Sequence, residues 1–191
     1  MLFGEDERVS ATRPLPEIEL RPPTADDEFL FLSSARMSAD LHGPWYLAPR
    51  TSEEFHAYLE RCASPANEGF LIFEPESGGL AGSVTISNIV RRNFNSAYLG
   101  YAAFAPHEGK GLMAAGLRAV VGEAFRRLAL HRLEANVQPG NVASIALIEG
   151  LGFRLEGHSP RYLHIDGDWR DHDRYAITAE EWPTPGTDDG S

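Results

Sequence analysis

A glycine-rich turn that leads directly into a long helix constrains this chain more than any other feature. A strand-like run ends near Phe104 and is followed by Pro106-His107-Glu108-Gly109-Lys110-Gly111-Leu112-Met113, where a helical pattern begins. Free N–H groups at a helix N-terminus attract an anion, and glycines let the backbone approach it closely. The pattern therefore predicts a phosphate or pyrophosphate site on this loop.

Two familiar phosphate-binding loops do not match this turn. A Walker loop ends in Gly-Lys-Ser or Gly-Lys-Thr, whereas Lys110 is followed by Gly111 and Leu112. The three-glycine dinucleotide fingerprint is also incomplete, because Ala114 stands where its third glycine is required. On the motif alone, an ordinary helix start with flexible glycines explains the turn equally well.

Charge and composition exclude several classes of protein. A formal net charge of -11 disfavours a nucleic-acid-binding protein and permits a basic partner or a cationic substrate. No apolar run is long enough to span a membrane, and the first residues lack the apolar segment of a signal peptide. The single cysteine, Cys62, excludes an intramolecular disulfide and a cysteine metal cluster. We expect a cytoplasmic protein without a metal site.

The pattern along the chain predicts a mixed sheet flanked by helices, in the order β-α-α-β-β-β-α-β-α-β-β. We expect one domain over residues 17–182, with a flexible tail at 1–16 and another at 183–191. The expected strands lie near 18–21, 70–73, 80–90, 97–104, 132–137, 153–158 and 170–178. The expected helices lie near 24–40, 51–61, 112–128 and 141–151.

Several short motifs lie along these elements: Tyr98-Leu99-Gly100-Tyr101, the loop 108–113, Asn141-Val142-Ala143-Ser144, Leu151-Gly152-Phe153, Glu156-Gly157 and the run 162–171. Together with the element order, they resemble the GNAT superfamily of N-acetyltransferases, and within it the Rim-type ribosomal-protein alanine N-acetyltransferases. The resemblance covers roughly residues 17–182. It implies an α/β GNAT fold with splayed central strands, acetyl-CoA as cosubstrate, and direct transfer of the acetyl group to an amine in a ternary complex.

The resemblance also implies where acetyl-CoA binds. Unpaired backbone groups around Ala102, Ala103 and Phe104 are expected to bond the pantetheine arm. Two residues depart from the family pattern: Glu108 stands where Gln or Arg is usual, and Met113 where Gly or Ala is usual. Lys110 either contacts the pyrophosphate or is simply solvated. The pyrophosphate cradle is expected to be formed by Glu108, Gly109, Lys110, Gly111, Leu112 and Met113.

Asn141 and Ser144 lie three residues apart, on one side of a first helical turn. Spacing alone favours a helix cap and a small filler residue. The resemblance instead directs Asn141 to the coenzyme arm and places the Ser144 hydroxyl near the sulfur, where it can protonate the leaving thiolate.

A base must also remove a proton from the attacking amine. The resemblance implies a carboxylate shortly before Tyr162, but Pro160-Arg161 stands there, and Glu156 and His158 are the nearest substitutes. Cys62 lies far from the motifs, so a covalent acyl-cysteine is not expected. Trp45, Tyr46 and Trp169 are candidates either for the acceptor site or for the core.

Three functions remain open at the level of sequence. The first is acetylation of a protein N-terminal amine, most simply an alanine on a ribosomal protein. The second is acetylation of a small-molecule or peptide-antibiotic amine, and the third is a non-catalytic acyl-CoA-binding sensor. We expect a monomer or a homodimer that binds neither membrane nor nucleic acid.

Overall fold

Seven strands and five helices occupy the part of the chain that the computed structural model describes, residues 14–183. Apart from residues 14–16 and 183, the two predicted tails lie outside the described residues. The strands form one sheet in the order β1-β2-β3-β4-β5-β7-β6. In chain order they are β1 (Glu19–Arg21), β2 (Glu68–Glu74), β3 (Gly79–Val90), β4 (Ser96–Ala103), β5 (Arg132–Val137), β6 (Arg154–Ile165) and β7 (Asp168–Thr178). The helices are α1 (Glu28–Met37), α2 (Ala39–His42), α3 (Ser52–Cys62), α4 (Leu112–Arg126) and α5 (Val142–Gly150).

The predicted fold class and element order are confirmed, with one subdivision near the start. The helix expected over 24–40 is a 3-10 turn at Ala25–Asp27, then α1, then α2. Ser38 separates the two helices: its fully buried hydroxyl donates to the Ser34 carbonyl and accepts from the Ala105 amide. This hydroxyl thereby connects the α1–α2 junction to the loop after β4 by a hydrogen bond.

The last hairpin is longer than the sequence pattern predicted. β6 continues to Ile165, where the strand was expected to end near residue 158. Its pairing with β7 shifts between Ser159 and Leu163, and Arg161 in that bulge has a φ of 49°. The bulge interrupts the alternation on which strand prediction depends. Asp166 and Gly167 then form the two-residue turn, with φ values of 51° and 78°.

Alternate residues of β2 bury the two faces of the sheet. Phe70 and Ile72 pack into the cluster under α4, whereas Leu71 and Phe73 pack into the cluster under α1 and α3. This side-to-side alternation is the period of a strand. Helices therefore cover both faces of this part of the sheet.

Two neighbouring parallel strands separate in the middle of the sheet, as expected. β4 pairs with β5 only from Ser96 to Tyr98, opposite Arg132 to Glu134. Beyond those residues β4 remains paired with β3, and β5 remains paired with β7 over its full length. A gap therefore opens between two strands that are each supported from the outer side.

Helix α4 lies close to the sheet because it carries a glycine at the point of contact. A Cβ atom on Gly116 would lie 2.1 Å from Cδ1 and 2.6 Å from Cγ1 of Ile72, which is itself fully buried. Gly150 at the end of α5 is exposed, and no atom of the described part of the chain lies within 4 Å of the position of its missing Cβ. A side chain is therefore excluded at Gly116 by close packing, whereas there is room for one at Gly150.

Replacing each glycine by alanine should change stability in opposite directions. Gly116→Ala overpacks the α4–sheet contact and should lower the free energy of unfolding by about 1–3 kcal/mol. Gly150→Ala makes the same chemical change in open space and should be neutral or stabilising by up to about 1 kcal/mol. Urea unfolding of both variants measures this. A Gly116→Ala protein as stable as the wild type would show that α4 does not need the close approach.

Candidate active site

The loop between β4 and α4 presents an uncapped helix N-terminus. Gly109 and Gly111 have φ values of 73° and 85°, which side-chain-bearing residues rarely adopt. Gly111 occupies the N-cap position, and within residues 14–183 no side chain caps the helix. Amides of the first turn of α4 are therefore free of a side-chain partner at the positive end of the helix dipole.

Lys110 points away from this helix start. Its ammonium nitrogen lies 3.0 Å from Oε1 of Glu74, and His107 Nδ1 lies 3.4 Å from Oε2 of the same carboxylate. The Ser77 hydroxyl and the Lys110 ammonium lower the pKa of Glu74, so the carboxylate stays charged. Lys110 is thus part of an ion pair beside the loop.

Gly82 of β3 accommodates the methionine that departs from the family pattern. A Cβ on Gly82 would lie 2.1 Å from Sδ of Met113, so the missing side chain makes room for the thioether. Met113 packs against the sheet cluster in this way and leaves its backbone at the helix start. The Met113 side chain therefore does not block the backbone amides at the start of α4.

A cavity of about 490 Å³, here called the loop cavity, extends from this helix start along the open edge of β4. Ala102 and Ala103 line it, but Phe104 does not: the Phe104 ring is fully buried against α1 and α3, and its amide donates to Ala81. Of the loop residues predicted as the cradle, Lys110 alone does not line the cavity. Those that do are Glu108, Gly109, Gly111, Leu112 and Met113.

Backbone groups of β4 alternate between β3 and the gap. The Phe104 amide is directed at β3, so the N–H and C=O groups of Tyr101 and Ala103 are directed at the open side. The His42 ring donates from Nε2 to the Ala103 carbonyl at 2.8 Å. Burial lowers the pKa of His42, which favours its neutral form. One β4 acceptor at the gap is thus already satisfied by a protein side chain.

Asn141 and Ser144 meet as expected at the first turn of α5. The Asn141 side chain caps the helix by accepting from the Ser144 amide at 3.1 Å. The Ser144 hydroxyl shares a 2.5 Å hydrogen bond with the Tyr101 hydroxyl, which reaches across the gap from β4. Both residues thereby lie where the strands separate.

Tyr101 was not singled out by sequence reasoning, although its strand was. Burial raises the pKa of Tyr101 to about 12, and the bond to Ser144 offsets part of that rise. The phenol is therefore protonated at neutral pH and can donate a hydrogen bond. Its position directly before the glycine loop, at the open edge of a strand, is the signal that could have identified it.

A second cavity of about 390 Å³, here called the hairpin cavity, lies beyond the gap against the β6–β7 hairpin. Both cavities are lined by Trp45, Tyr46, Tyr101, Asn141 and Ser144, so the Tyr101–Ser144 pair stands where they meet. Trp169, the third aromatic candidate, is exposed and lines neither cavity. His172 of β7 lines the hairpin cavity and is only 2% exposed.

Glu156 and His158 are not brought to these cavities. Glu156 is ion-paired with Arg132 and Arg154, and Arg132 above all lowers the pKa of Glu156. His158 Nδ1 lies 2.8 Å from Asp173, a contact that raises the pKa of His158 and favours its charged form. Neither residue lines the loop cavity or the hairpin cavity. Both side chains are engaged in ion pairs on the sheet surface.

No cluster of three or more His, Cys, Asp or Glu side chains within residues 14–183 is arranged to hold a metal ion. In the same region, every helix is too short or too polar to cross a membrane. The site is thus a cleft with an anion-attracting helix start at one end, the Tyr101–Ser144 hydroxyl pair at its centre and the hairpin cavity at the other end.

Comparison with known proteins gives a consistent family assignment. The family described as acetyltransferase (GNAT) domain matches residues 17–154, which is more than half of the chain. The [ribosomal protein uS5]-alanine N-acetyltransferase of Escherichia coli strain K12 is 42% identical over 117 residues, 61% of this chain. That match spans 60% of the relative, which is less than two thirds of its length.

Solved structures extend the match over most of the chain. Mycobacterium smegmatis RimJ, solved in complex with CoA-disulfide, is 30% identical with a TM-score of 0.80, over 87% of this chain and 84% of that one. The ribosomal-protein-S5-alanine acetyltransferase of Vibrio fischeri has a TM-score of 0.78 over 90% of this chain and 98% of that one. At 24% identity the latter match shows the shared fold.

Proposed function

The chain belongs to the GNAT acetyltransferase family, and we propose that it transfers an acetyl group from acetyl-CoA to the N-terminal α-amine of a protein. The observation that carries this proposal is the meeting of two cavities at the Tyr101–Ser144 pair, in the gap between β4 and β5. One cavity suits a coenzyme arm and the other suits an amine. A ribosomal protein beginning with alanine is the acceptor we favour, which places the reaction in the cytoplasm.

The loop cavity fits the coenzyme through backbone groups. Free amides from Gly109 to Met113 suit the pyrophosphate, and the gap-facing backbone of Tyr101 and Ala103 suits the amides of the pantetheine arm. Asn141 lines the same cavity while it caps α5. When bound, acetyl-CoA supplies an acetyl thioester, a carbonyl carbon with a thiolate leaving group.

Tyr101 and Ser144 are suited to protonating that leaving group. The Tyr101 phenol is protonated at neutral pH, and when it donates to the Ser144 oxygen, the Ser144 hydroxyl proton is free for another acceptor. A proton can therefore pass from Ser144 to the sulfur while Tyr101 replaces it. The backbone N–H groups at the β4 edge can polarise the carbonyl oxygen.

The hairpin cavity favours a peptide N-terminus over a polyamine. Among its lining residues in the described part of the chain there is no carboxylate, and the charged side chain is Arg61. A polycationic acceptor would need acidic partners there. Polar neutral groups such as Asn67, Ser87 and Gln138 instead suit the hydrogen-bonding backbone of a short peptide. A small neutral first residue such as alanine fits this lining.

A peptide library incubated with acetyl-CoA tests the function. We expect mass spectrometry to find the acetyl group on the α-amine of peptides that begin with a small residue, and we expect kcat/KM for spermidine to be far lower. Preferential acetylation of spermidine would establish the small-molecule alternative. Coenzyme binding without transfer to any amine would establish the sensor alternative.

Coenzyme binding should depend on the loop glycines and not on the loop lysine. Gly111→Val forces a β-branched residue to a φ of 85° and sets a Cβ 3.3 Å from Pro16, so we expect acetyl-CoA affinity to fall at least tenfold. Lys110→Ala breaks the pair with Glu74 outside the cavity, so we expect less than a threefold change. Calorimetry measures both. The reverse order of effects would contradict a backbone cradle.

Loss of either hydroxyl should slow turnover and spare coenzyme affinity. Ser144→Ala and Tyr101→Phe remove donors that act on the leaving sulfur, so the loss should appear in kcat, by about 10²-fold or more. The double variant should be little slower than Ser144→Ala, because the two hydroxyls act in series. Steady-state kinetics with calorimetric Kd values measures this. Fully additive losses would show that the hydroxyls act independently.

A further inference from the structure

We propose that His172 is the general base that takes the proton from the attacking amine. This inference rests on the proposed function and names a residue of the same site. His172 lies on β7 opposite Ser159, far in sequence from the glycine loop. It lines the hairpin cavity together with Tyr101 and Ser144. The base is therefore placed on the acceptor side of the hydroxyl pair.

One hydrogen bond fixes which ring nitrogen of His172 carries the proton. Nδ1 lies 3.0 Å from the carbonyl oxygen of Arg170. A carbonyl only accepts hydrogen bonds, so Nδ1 must donate, and Nε2 of the neutral ring holds the free lone pair. Within residues 14–183, the structure gives Nε2 no hydrogen-bond partner. The Tyr162 ring lies beside the imidazole, with ring centroids 5.9 Å apart.

The other side chains of the hairpin cavity do not supply a base. Its lining in the described region contains no carboxylate, and an arginine stays protonated. Burial raises the pKa of Tyr46, Tyr101 and Cys62, which keeps these groups protonated at neutral pH. Burial likewise raises the pKa of Tyr58. The remaining side chain with a free basic nitrogen is His172.

The charged residues beside His172 on the β6–β7 hairpin do not supply a base. Asp171 accepts from the Arg161 amide at 2.7 Å, and Asp173 is paired with His158. Arg170 and Arg174 lie two residues to either side of His172, and an arginine cannot act as a base. The charged residues beside His172 on the hairpin are therefore either engaged elsewhere or unable to accept the proton.

A buried hydrogen-bond acceptor, Oδ1 of Asn136, supports the binding of an amine in the hairpin cavity. Oδ1 of Asn136 is buried and has no hydrogen-bond partner among the described residues, and Asn136 lines the hairpin cavity. A buried acceptor without a donor is costly, so this atom is suited to an N–H group of a ligand. A neutral primary amine has two N–H groups, one for Asn136 and one for His172.

The proposed step balances in atoms and charge. The amine nitrogen forms a bond to the acetyl carbon with its lone pair, and its N–H proton passes to Nε2 of His172. The C–S bond breaks, the sulfur keeps the electron pair, and it takes a proton from Ser144 as Tyr101 replaces that proton. His172 then releases its proton to water and Tyr101 regains one, so the net products are an amide and a thiol.

His172→Asn is the informative variant, because the asparagine amide can still donate to the Arg170 carbonyl while the basic nitrogen is lost. We expect kcat/KM for a peptide acceptor to fall about 10²–10⁴-fold with acetyl-CoA affinity unchanged. The acidic limb of log(kcat/KM) should have a slope of about two in the wild type, where amine and imidazole both lose a proton, and about one in the variant. His158→Asn, outside the cavities, is the matched control and should keep the wild-type slope.

A readout independent of activity tests the tautomer. In nitrogen-resolved NMR spectra, His172 should show a protonated Nδ1 and an unprotonated Nε2 at neutral pH. The opposite tautomer, or a folded His172→Asn protein with the wild-type acidic slope and rate, would overturn the assignment. If His172→Asn does not fold, His172→Gln takes its place under the same criteria. A wild-type protein that acetylates no peptide would overturn the proposed function instead, which separates the two failures.

Discussion

The separation of β4 from β5 is the constraint on which the rest of the structure depends. Parallel strands that stop pairing leave backbone groups without partners, and such groups are costly unless something else satisfies them. Here the outer neighbours β3 and β7 remain paired with β4 and β5, so the unpaired groups are confined to the gap. The two cavities, the Tyr101–Ser144 bond and the starts of α4 and α5 are all arranged around this gap.

Helical packing keeps the gap open. Gly116 lets α4 rest on Ile72, and the buried Ser38 hydroxyl fastens the first helices to the loop after β4. His42 fills one backbone acceptor at the gap with a ring nitrogen and leaves the neighbouring positions accessible. Rigid elements on both faces therefore position groups that belong to strands and loops far apart in sequence.

Sequence reasoning was accurate for features that depend on residues close together in the chain. It could not identify the features that depend on strand pairing. The start of α4 at Leu112 and the Asn141 cap follow from residues a few positions apart, and both are confirmed. His172 reaches the cavity only because β7 pairs between β5 and β6, which no local pattern encodes. Glu156 was a reasonable candidate by position along the chain, yet strand pairing sets it beside Arg132 and Arg154.

The ion pair between Lys110 and Glu74 has a consequence for the protein's own exposure to acylation. Thioesters modify lysine amines even without a catalyst, and only an uncharged amine reacts. Lys110 is the single lysine of a chain whose other basic side chains are arginines or histidines, and its side-chain nitrogen lies 3.0 Å from Glu74. Lysine side chains therefore offer thioesters a single nucleophile, and that nitrogen is engaged in an ion pair.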